Sequence, residues 1–435
     1  VAINPQTLFD EAKCYLCFEI SEDEALELAL LARIAGGGTP ALLPANVLTL
    51  DTVNTVQGNA VLTWTNPAGG ADTFEIWRQL SGLNAVSGVV VSTPFTLIAT
   101  VAGGLLTYTD PLTLPTDSPA GIADYQIRYK KSGVNSAFSN TVGWLHLYNP
   151  FTFTGGFATL SLPNLKKVTR QLEMIFPVTC TTVSIPLLER VGGIGDPDIG
   201  PGVNRLAVTG AGITSIDLSS LSDIAFSAAY SSGLSLSVPA LVNLTLPKLV
   251  SVGGSTSISV FSGIAHWSSP LLATTEGDMD FSTNPNIISV SCPVYQFNGE
   301  FLNFNGCGAL TSLSFPALVT VVDQIRFDNC PNLTSVSFPA LTTISNTGIN
   351  AILPCNCPLL TSASFPVLVY QNLIYDFDSC ALNAASINAI LHQAVASGPT
   401  AATFNLNSPG NAAPSGAGVA DKATLIGLGN TVNTN

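Results

Sequence analysis

Catalysis in a chain of 435 residues needs nucleophiles, bases or metal ligands brought close together, and this sequence offers few. Its three histidines, His146, His266 and His392, each stand apart from any cysteine or paired acid, so a Ser/His/Asp set would have to be assembled by the fold. There is no Gly-x-Ser-x-Gly elbow, no phosphate loop and no His-Glu-x-x-His. Cys14-x-x-Cys17 has the spacing of a zinc half-site, but a structural site needs four ligands and no second pair lies nearby. Two loops gather acids: Asp196 and Asp198 in Gly192-Gly-Ile-Gly-Asp-Pro-Asp-Ile-Gly-Pro-Gly202, and Glu276-Gly-Asp-Met-Asp280. Such oxygen-rich loops suit calcium, yet neither holds a full ligand set, so these acids are expected to be solvated. Glycoside hydrolysis would need facing carboxylates, and the strand-like stretches are acid-poor. The expectation is no catalytic residue, no cofactor and no resident metal.

Contact chemistry is better served. Tyr230, Trp267 and Tyr295 carry large rings that either stack on a sugar or protein partner or belong to a packed core; the sequence leaves both open. Charged residues make up only 10%, with Ser, Thr, Asn and Gly filling the polar positions, and the net charge is −14. With a pI near 4.4 there is no basic stripe to neutralise phosphates, so nucleic acid and anionic membrane surfaces are not expected partners. Mean hydropathy is +0.42, but no apolar run reaches the ~18 residues of a spanning helix. The nine cysteines are an odd number, which argues against a full disulfide framework and for free thiols.

The element that must position all of this is a repeat between residues 160 and 380. It reads Leu310-Thr-Ser-Leu-Ser-Phe-Pro-Ala-Leu-Val-Thr-Val321 and again Leu333-Thr-Ser-Val-Ser-Phe-Pro-Ala-Leu-Thr-Thr-Ile344. Prolines keep its register, 23 residues apart, at Pro163 and Pro186, then at Pro247, Pro270, Pro293, Pro316 and Pro339, with Pro366 after 27. A fixed period of this size means a solenoid. Leu310, Leu313 and Phe315 alternate with Thr and Ser, which predicts a strand with one face buried. Pro316 lacks an amide proton and ends the ladder. Leu318 and Val321 then point inward, Ile325-Arg-Phe327 makes a second short strand, and Asp-Asn-Cys330-Pro-Asn turns the chain. One turn cannot bury enough to offset its own ordering, so stability must come from stacking. A second column, Asn284, Cys307, Cys330, Cys357 and Cys380, marks equivalent turn positions.

The phrase Leu-Thr-Ser-Val-Ser-Phe-Pro-Ala-Leu, followed by Asn-Cys-Pro-Asn-Leu, resembles leucine-rich repeats of the bacterial surface type and the receptor L domain, a β-rich solenoid variant. The resemblance covers about half the chain. It implies that the Asn/Cys column bonds the backbone of adjacent coils as a structural ladder, and it is uninformative about a ligand.

The flanks differ. Residues 1–38 predict two short helices. The first sets Leu8, Tyr15 and Leu16 near one face; the second, after the capping box Ser21-Glu-Asp-Glu24, carries Leu26 and Leu30 and stops at Gly36-Gly-Gly38. Too apolar and too small to stand alone, they are expected to dock on a neighbour, as an anchor. The run from Asn4-Pro-Gln to Leu30-Leu-Ala-Arg-Ile34 resembles the leader of structural proteins of tailed bacteriophages. Residues 39–46 read as a linker. Residues 47–144 show spaced strands, Ala60-Val-Leu-Thr-Trp64, Thr73-Phe-Glu-Ile-Trp77, Phe95-Thr-Leu-Ile-Ala99, Tyr125-Gln-Ile-Arg-Tyr129 and Ala137-Phe-Ser-Asn-Thr-Val142, which predict a β-sandwich. They resemble a fibronectin type III domain, with Trp64 in the core and Tyr125 at the tyrosine corner. The solenoid spans 145–382. Residues 383–435 then predict a helix, a strand, a second helix and a last strand, an α/β segment that resembles the caps following such repeats in phage and bacterial proteins.

The fold class expected is thus mostly β: a helical hairpin, a fibronectin type III-like sandwich, a leucine-rich-repeat solenoid and an α/β cap. The resemblances imply a non-enzymatic virion protein, a fibre or a capsid or tail decoration. It would be homo-oligomeric, assembled in the host cytoplasm and anchored to other virion proteins through residues 1–38. The solenoid would then present a surface to a host glycan or protein. No basic stretch followed by an apolar core opens the sequence, which fits that reading; a bacterial cell-surface adhesin built from the same modules is the alternative.

Overall fold

The computed structural model describes residues 43–435 apart from 53, 56–58, 89, 113, 115–120, 147–150, 170, 193–204, 226–232, 255–256, 262, 346–349 and 354–355. The expected helices of residues 1–38, with Leu8, Cys14, Tyr15, Leu16, Cys17, Leu26 and Leu30, lie outside the described residues, as do Asp196, Asp198 and Tyr230. The remainder is mostly β: a small antiparallel region, a long coil of parallel strands and two C-terminal helices.

Among the described residues the antiparallel region holds nine strands: β1 (Leu48–Leu50), β2 (Ala60–Trp64), β3 (Thr73–Leu83), β4 (Val90–Ser92), β5 (Thr96–Ala102), β6 (Thr107–Asp110), β7 (Gly121–Lys131), β8 (Val134–Asn135) and β9 (Val142–His146). β1, β2 and β6 form one sheet; β3 lies between β7 and the pair β4 and β5 in the other, with β9 on the far side of β7. Their alternating inward residues share one core, Leu48, Leu62 and Trp64 from the first sheet and Phe74, Ile76, Tyr125, Ile127 and Trp144 from the second. The strand expected at 137–142 is not there; the ladder resumes only at Val142. Serine hydroxyls explain the gap, since Ser136 and Ser139 accept the amide protons of Tyr129 and Ile127 where backbone carbonyls would otherwise serve. Tyr125 is fully buried, but its hydroxyl donates to the Asp110 carboxylate at 2.8 Å and accepts from Trp144 Nε1 at 3.3 Å. Arg78 completes that buried chain with an ion pair to Asp110 at 2.8 Å. Tyr125 therefore ties side chains together and does not reach back to the backbone.

β9 is the hinge of the architecture. One of its edges pairs antiparallel with β7, the other parallel with Leu165–Val168 in the first coil turn. Adjacent residues point to different cores: Trp144 into the antiparallel region, Leu145 into the coil. The two parts therefore share one sheet, 14 strands among the described residues.

Among the described residues, turns of the coil up to Leu353 place three short strands on three faces. Face A carries the period-two strands, for example Ser312–Ser314, Ser335–Ser337 and Ser362–Ser364. Face B follows the proline corner with two-residue strands such as Thr320–Val321 and Thr343–Ile344, which the sequence reading had not separated as strands. Face C carries Ile325–Arg326 and its equivalents and runs unbroken from Phe151–Thr152 to the C-terminal Thr431–Thr434. Neighbouring turns align Leu313 with Val336 and Val336 with Ala363, so every buried residue meets its own equivalent. Phenylalanines pile the same way: Phe315 stacks on Phe338 at 6.0 Å and Phe338 on Phe365 at 5.5 Å.

The corner after face C is sharp. Thr283, Asn329, Asn356 and Ser379 have φ of 57, 56, 65 and 55°, and Gly306 has 74°. A left-handed residue thus precedes each member of the Asn284/Cys307/Cys330/Cys357/Cys380 column. Four of the five column residues bond back to the preceding turn. The thiols of Cys307, Cys330 and Cys357 donate to the carbonyls of Phe281, Phe304 and Phe327 in the preceding turn at 3.2, 3.1 and 3.0 Å, and Asn284 Nδ2 donates to Ile264 O at 3.2 Å. The backbones of Cys357 and Cys380 form an isolated parallel β-bridge, and both thiols are free. One further member was not expected: Asn411 Nδ2 donates to Phe377 O at 2.9 Å, extending the ladder into the last turns.

Those last turns keep face C, in Thr403–Leu406 and Thr431–Thr434, and replace the other strands by helices α1 (Ala384–Ser397) and α2 (Ala417–Gly427). Asn383 caps α1 by accepting from Ser386 N, and Gly398 ends it at φ 67°. Ile387, Ile390, Leu391 and Ala394 of α1 close the end of the coil core.

Candidate functional site

Neither described aromatic candidate is available to a ligand. Trp267 is 1% exposed and Tyr295 is fully buried, so the reading of these rings as sugar- or protein-stacking residues is corrected for both. Trp267 lies edge-on to Phe281 at 5.3 Å. Tyr295 donates or accepts with Thr275 Oγ1 at 2.6 Å and accepts from Asn298 Nδ2 at 2.9 Å, a buried polar knot inside the stack. The repeat itself dictates both placements: Trp267 pairs in register with Leu244 and Val290 on face A, and Tyr295 stands two residues after Pro293, where Leu318 follows Pro316.

Among the described residues the potential reactive groups are not assembled into one set of serine, histidine and acid. His266 is exposed on face A beside Ser289 Oγ at 2.9 Å, and His392 is exposed on α1 beside Asp421 at 3.3 Å; the side chain of His146 lies outside the described residues. The cysteines of the ladder are buried free thiols. Hydrogen bonding to Cys307 and burial push Cys330 up to about 12, and burial does the same for Cys292, so these sulfurs stay protonated and are poor nucleophiles. Glu276, Asp278 and Asp280 do not converge. Asp280 accepts from Ser282 N at 2.8 Å and Asp278 from Phe301 N at 2.9 Å, while Glu276 is exposed. Among the described residues no group of three His, Cys, Asp or Glu is placed to hold a metal.

Asp278 is a partly buried acid beside two others. Burial first, then the neighbouring carboxylates of Glu300 and Asp280, raise its pKa to about 7. Below about pH 3 both folded and unfolded chains hold the proton and nothing is lost. As pH rises towards 7 the unfolded chain ionises first, so stability declines over that window. Asp278→Asn keeps the acceptor for Phe301 N, and is expected to raise stability by about 1 kcal/mol at pH 8 and to have no effect near pH 2.5. Urea melts at the two pH values check it; equal gains at both would refute the buried-acid account.

What the coil offers outward is contact surface. On face A, small polar residues run in columns: Thr159, Thr182 and Ser215; His266 and Ser289; Ser312, Ser335 and Ser362. Charges cluster in the first turns, where Lys166 pairs with Glu189 at 2.9 Å and Arg190 with Asp223 at 3.0 Å. Beside face A, along the proline corner, runs a ribbon the sequence reading missed. Val250, Ala273, Gln296, Val319, Thr342 and Val369 are joined turn to turn by backbone hydrogen bonds. Val250, Val319 and Val369 of that column are 45, 40 and 51% exposed, and Leu271, Val294 and Val367, each following a proline, add apolar surface beside it. Its sequence signal was the apolar residue one or three places after each proline. A flat, weakly charged strip of methyl and hydroxyl groups can bind by shape and dispersion but has nothing to move a proton or a bond.

No helix among the described residues is long and apolar enough to cross a membrane. No family model matches the chain, and no curated protein does. A solved pectate lyase from Pectobacterium carotovorum aligns over 67% of this chain and 80% of its own, at 11% identity and a TM-score of 0.17. A likeness that weak carries no argument about activity.

Proposed function

We propose that this chain is a non-enzymatic structural protein of a tailed-bacteriophage virion, a fibre or a capsid or tail decoration, whose coil presents a binding surface. The observation that carries the reading is the contrast between a long, end-covered stack of turns and its outward faces, which offer hydroxyl columns and an apolar ribbon and, among the described residues, assemble no catalytic set. The antiparallel region, with sheets β1-β2-β6 and β5-β3-β7-β9, supports the fibronectin type III-like assignment and a role as spacer. The 23-residue turn with its Asn/Cys ladder supports kinship with β-rich leucine-rich repeats. Residues 1–38 act as the anchor in this proposal, through Leu8, Tyr15, Leu16, Leu26 and Leu30, and copies of the chain assemble around other virion proteins.

Deleting residues 1–38 is expected to leave a soluble, folded fragment with an unchanged melting temperature that no longer joins particles. Immunoblotting of purified particles reads the result, and full incorporation of the truncated chain would reject the anchor. The adhesin alternative places the same surface on a bacterial envelope. It predicts the protein in the cell-wall or outer-membrane fraction of uninfected bacteria and absent from particles.

A further inference from the structure

A cleft of about 400 Å³ lies where the antiparallel region meets the first coil turns. Gln79 and Asp124 from β3 and β7, Ser92 from β4, and Thr159, Ser161 and Asn164 from the coil line it. Asp124 is only 8% exposed, yet its carboxylate makes no hydrogen bond or ion pair with any described residue. It points away from the antiparallel core because its neighbours Ala123 and Tyr125 fill that core. Gly143, opposite it in the register, leaves the room: a β-carbon there would sit 2.4 Å from Asp124 Oδ1. A desolvated acid with no partner is costly, and its usual remedy is a cation.

The opposite wall is a strand edge. Among the described residues Thr159–Ser161 pairs on one side only, with Thr182–Ser184. The carbonyl of Ala158 and the amide of Leu162 face that partner, at 3.1 and 2.9 Å. By the alternation of a parallel strand, the backbone groups of Thr159 and Ser161 face the other way, towards the cleft. An open edge of this kind is a template for an added strand. No aromatic ring lines the cleft, so the stacking platform of a sugar site is missing, and Asp124 is its sole titratable lining residue among those described.

We propose that the cleft binds an extended peptide of a partner protein carrying a lysine or arginine, its backbone added to the Thr159–Ser161 edge and its cation paired with Asp124. The net charge of −14 favours the approach of such a segment. Burial raises the Asp124 pKa to about 6, so the site is charged and competent at pH 7.5 and largely neutral at pH 5; a bound cation shifts that midpoint down.

The test uses the full chain with three probes: an acetylated, amidated pentapeptide Thr-Val-Lys-Val-Thr, its norleucine analogue, and n-butylamine, titrated by calorimetry. Expected is measurable binding of the lysine peptide at pH 7.5, at least tenfold weaker binding of the norleucine peptide, and a similar loss at pH 5. Asp124→Asn should weaken the lysine peptide at least tenfold, leave the norleucine peptide unchanged, and melt no lower than wild type. Ser161→Pro, which removes a donor from the open edge, should weaken both peptides. Equal affinity of wild type and Asp124→Asn for the lysine peptide would overturn the proposal, as would no binding at all. Butylamine binding as tightly as the peptide would overturn the strand-addition half.

Discussion

Replacing Trp267 by alanine is expected to destabilise the coil by about 3–5 kcal/mol, the usual cost of emptying a large aromatic site in a packed core. The ring is 1% exposed, sits against Phe281 and lies in register between Leu244 and Val290, so neighbouring turns cannot collapse into the gap without shifting their own strands. The loss should be local as well as large. In a stack of turns each layer is held by its neighbours, so amide exchange is expected to quicken most in the turns around 244, 267 and 290 and least in the antiparallel region. If Trp267 instead belonged to a binding surface, the variant would melt like wild type and lose affinity for a partner. Denaturant melts and hydrogen exchange on the one variant separate the two.

The second large effect concerns the period. Removing residues 308–330, one full turn of 23, brings Cys307 into the place of Cys330 and returns every face to register, because residues 23 apart already occupy equivalent positions. The shortened chain is expected to fold, to lose a few kcal/mol, and to be shorter by about 4.8 Å along the coil axis in solution scattering. Removing only residues 308–319 deletes face A from one turn. It sets a proline-corner sequence against the wrong neighbours and points apolar side chains into water. That chain is expected to be unfolded or aggregated at 25 °C by circular dichroism. Similar behaviour of the two deletions would contradict a stack with one register.

The coil was legible because proline and the Ser/Thr–apolar alternation are local signals that recur. Phe315 and Phe338 announce themselves in the same phrase and stack in the same column. Face B was not legible, since a strand of two residues such as Thr320–Val321 has no alternation to read. The left-handed corner was only half visible: Gly306, Asn329 and Asn356 are residue types that accept a positive φ, but Thr283 and Ser379 do so only because the stack on either side holds them. Asn411 escaped the ladder because its spacing from Cys380 departs from 23 once helices replace strands. Ring type alone left Trp267 and Tyr295 open between surface and core, and their register in the repeat places both inside. The cleft could not have been read from sequence at all. It joins Gln79, Asp124 and Thr159 from three separate stretches, and only the strand β9, shared by two cores, brings them together.

The measurement that bears most directly on the whole picture is cryo-electron microscopy of the virion in which we propose this chain sits. The expected map shows a rod of parallel layers running on from the sheet of the antiparallel region, with the α1–α2 end outermost and the N-terminal side embedded in the particle. Density that distributes the proline-marked segments among separate globules, or that embeds the α1–α2 end and leaves the N-terminal side free, would contradict it.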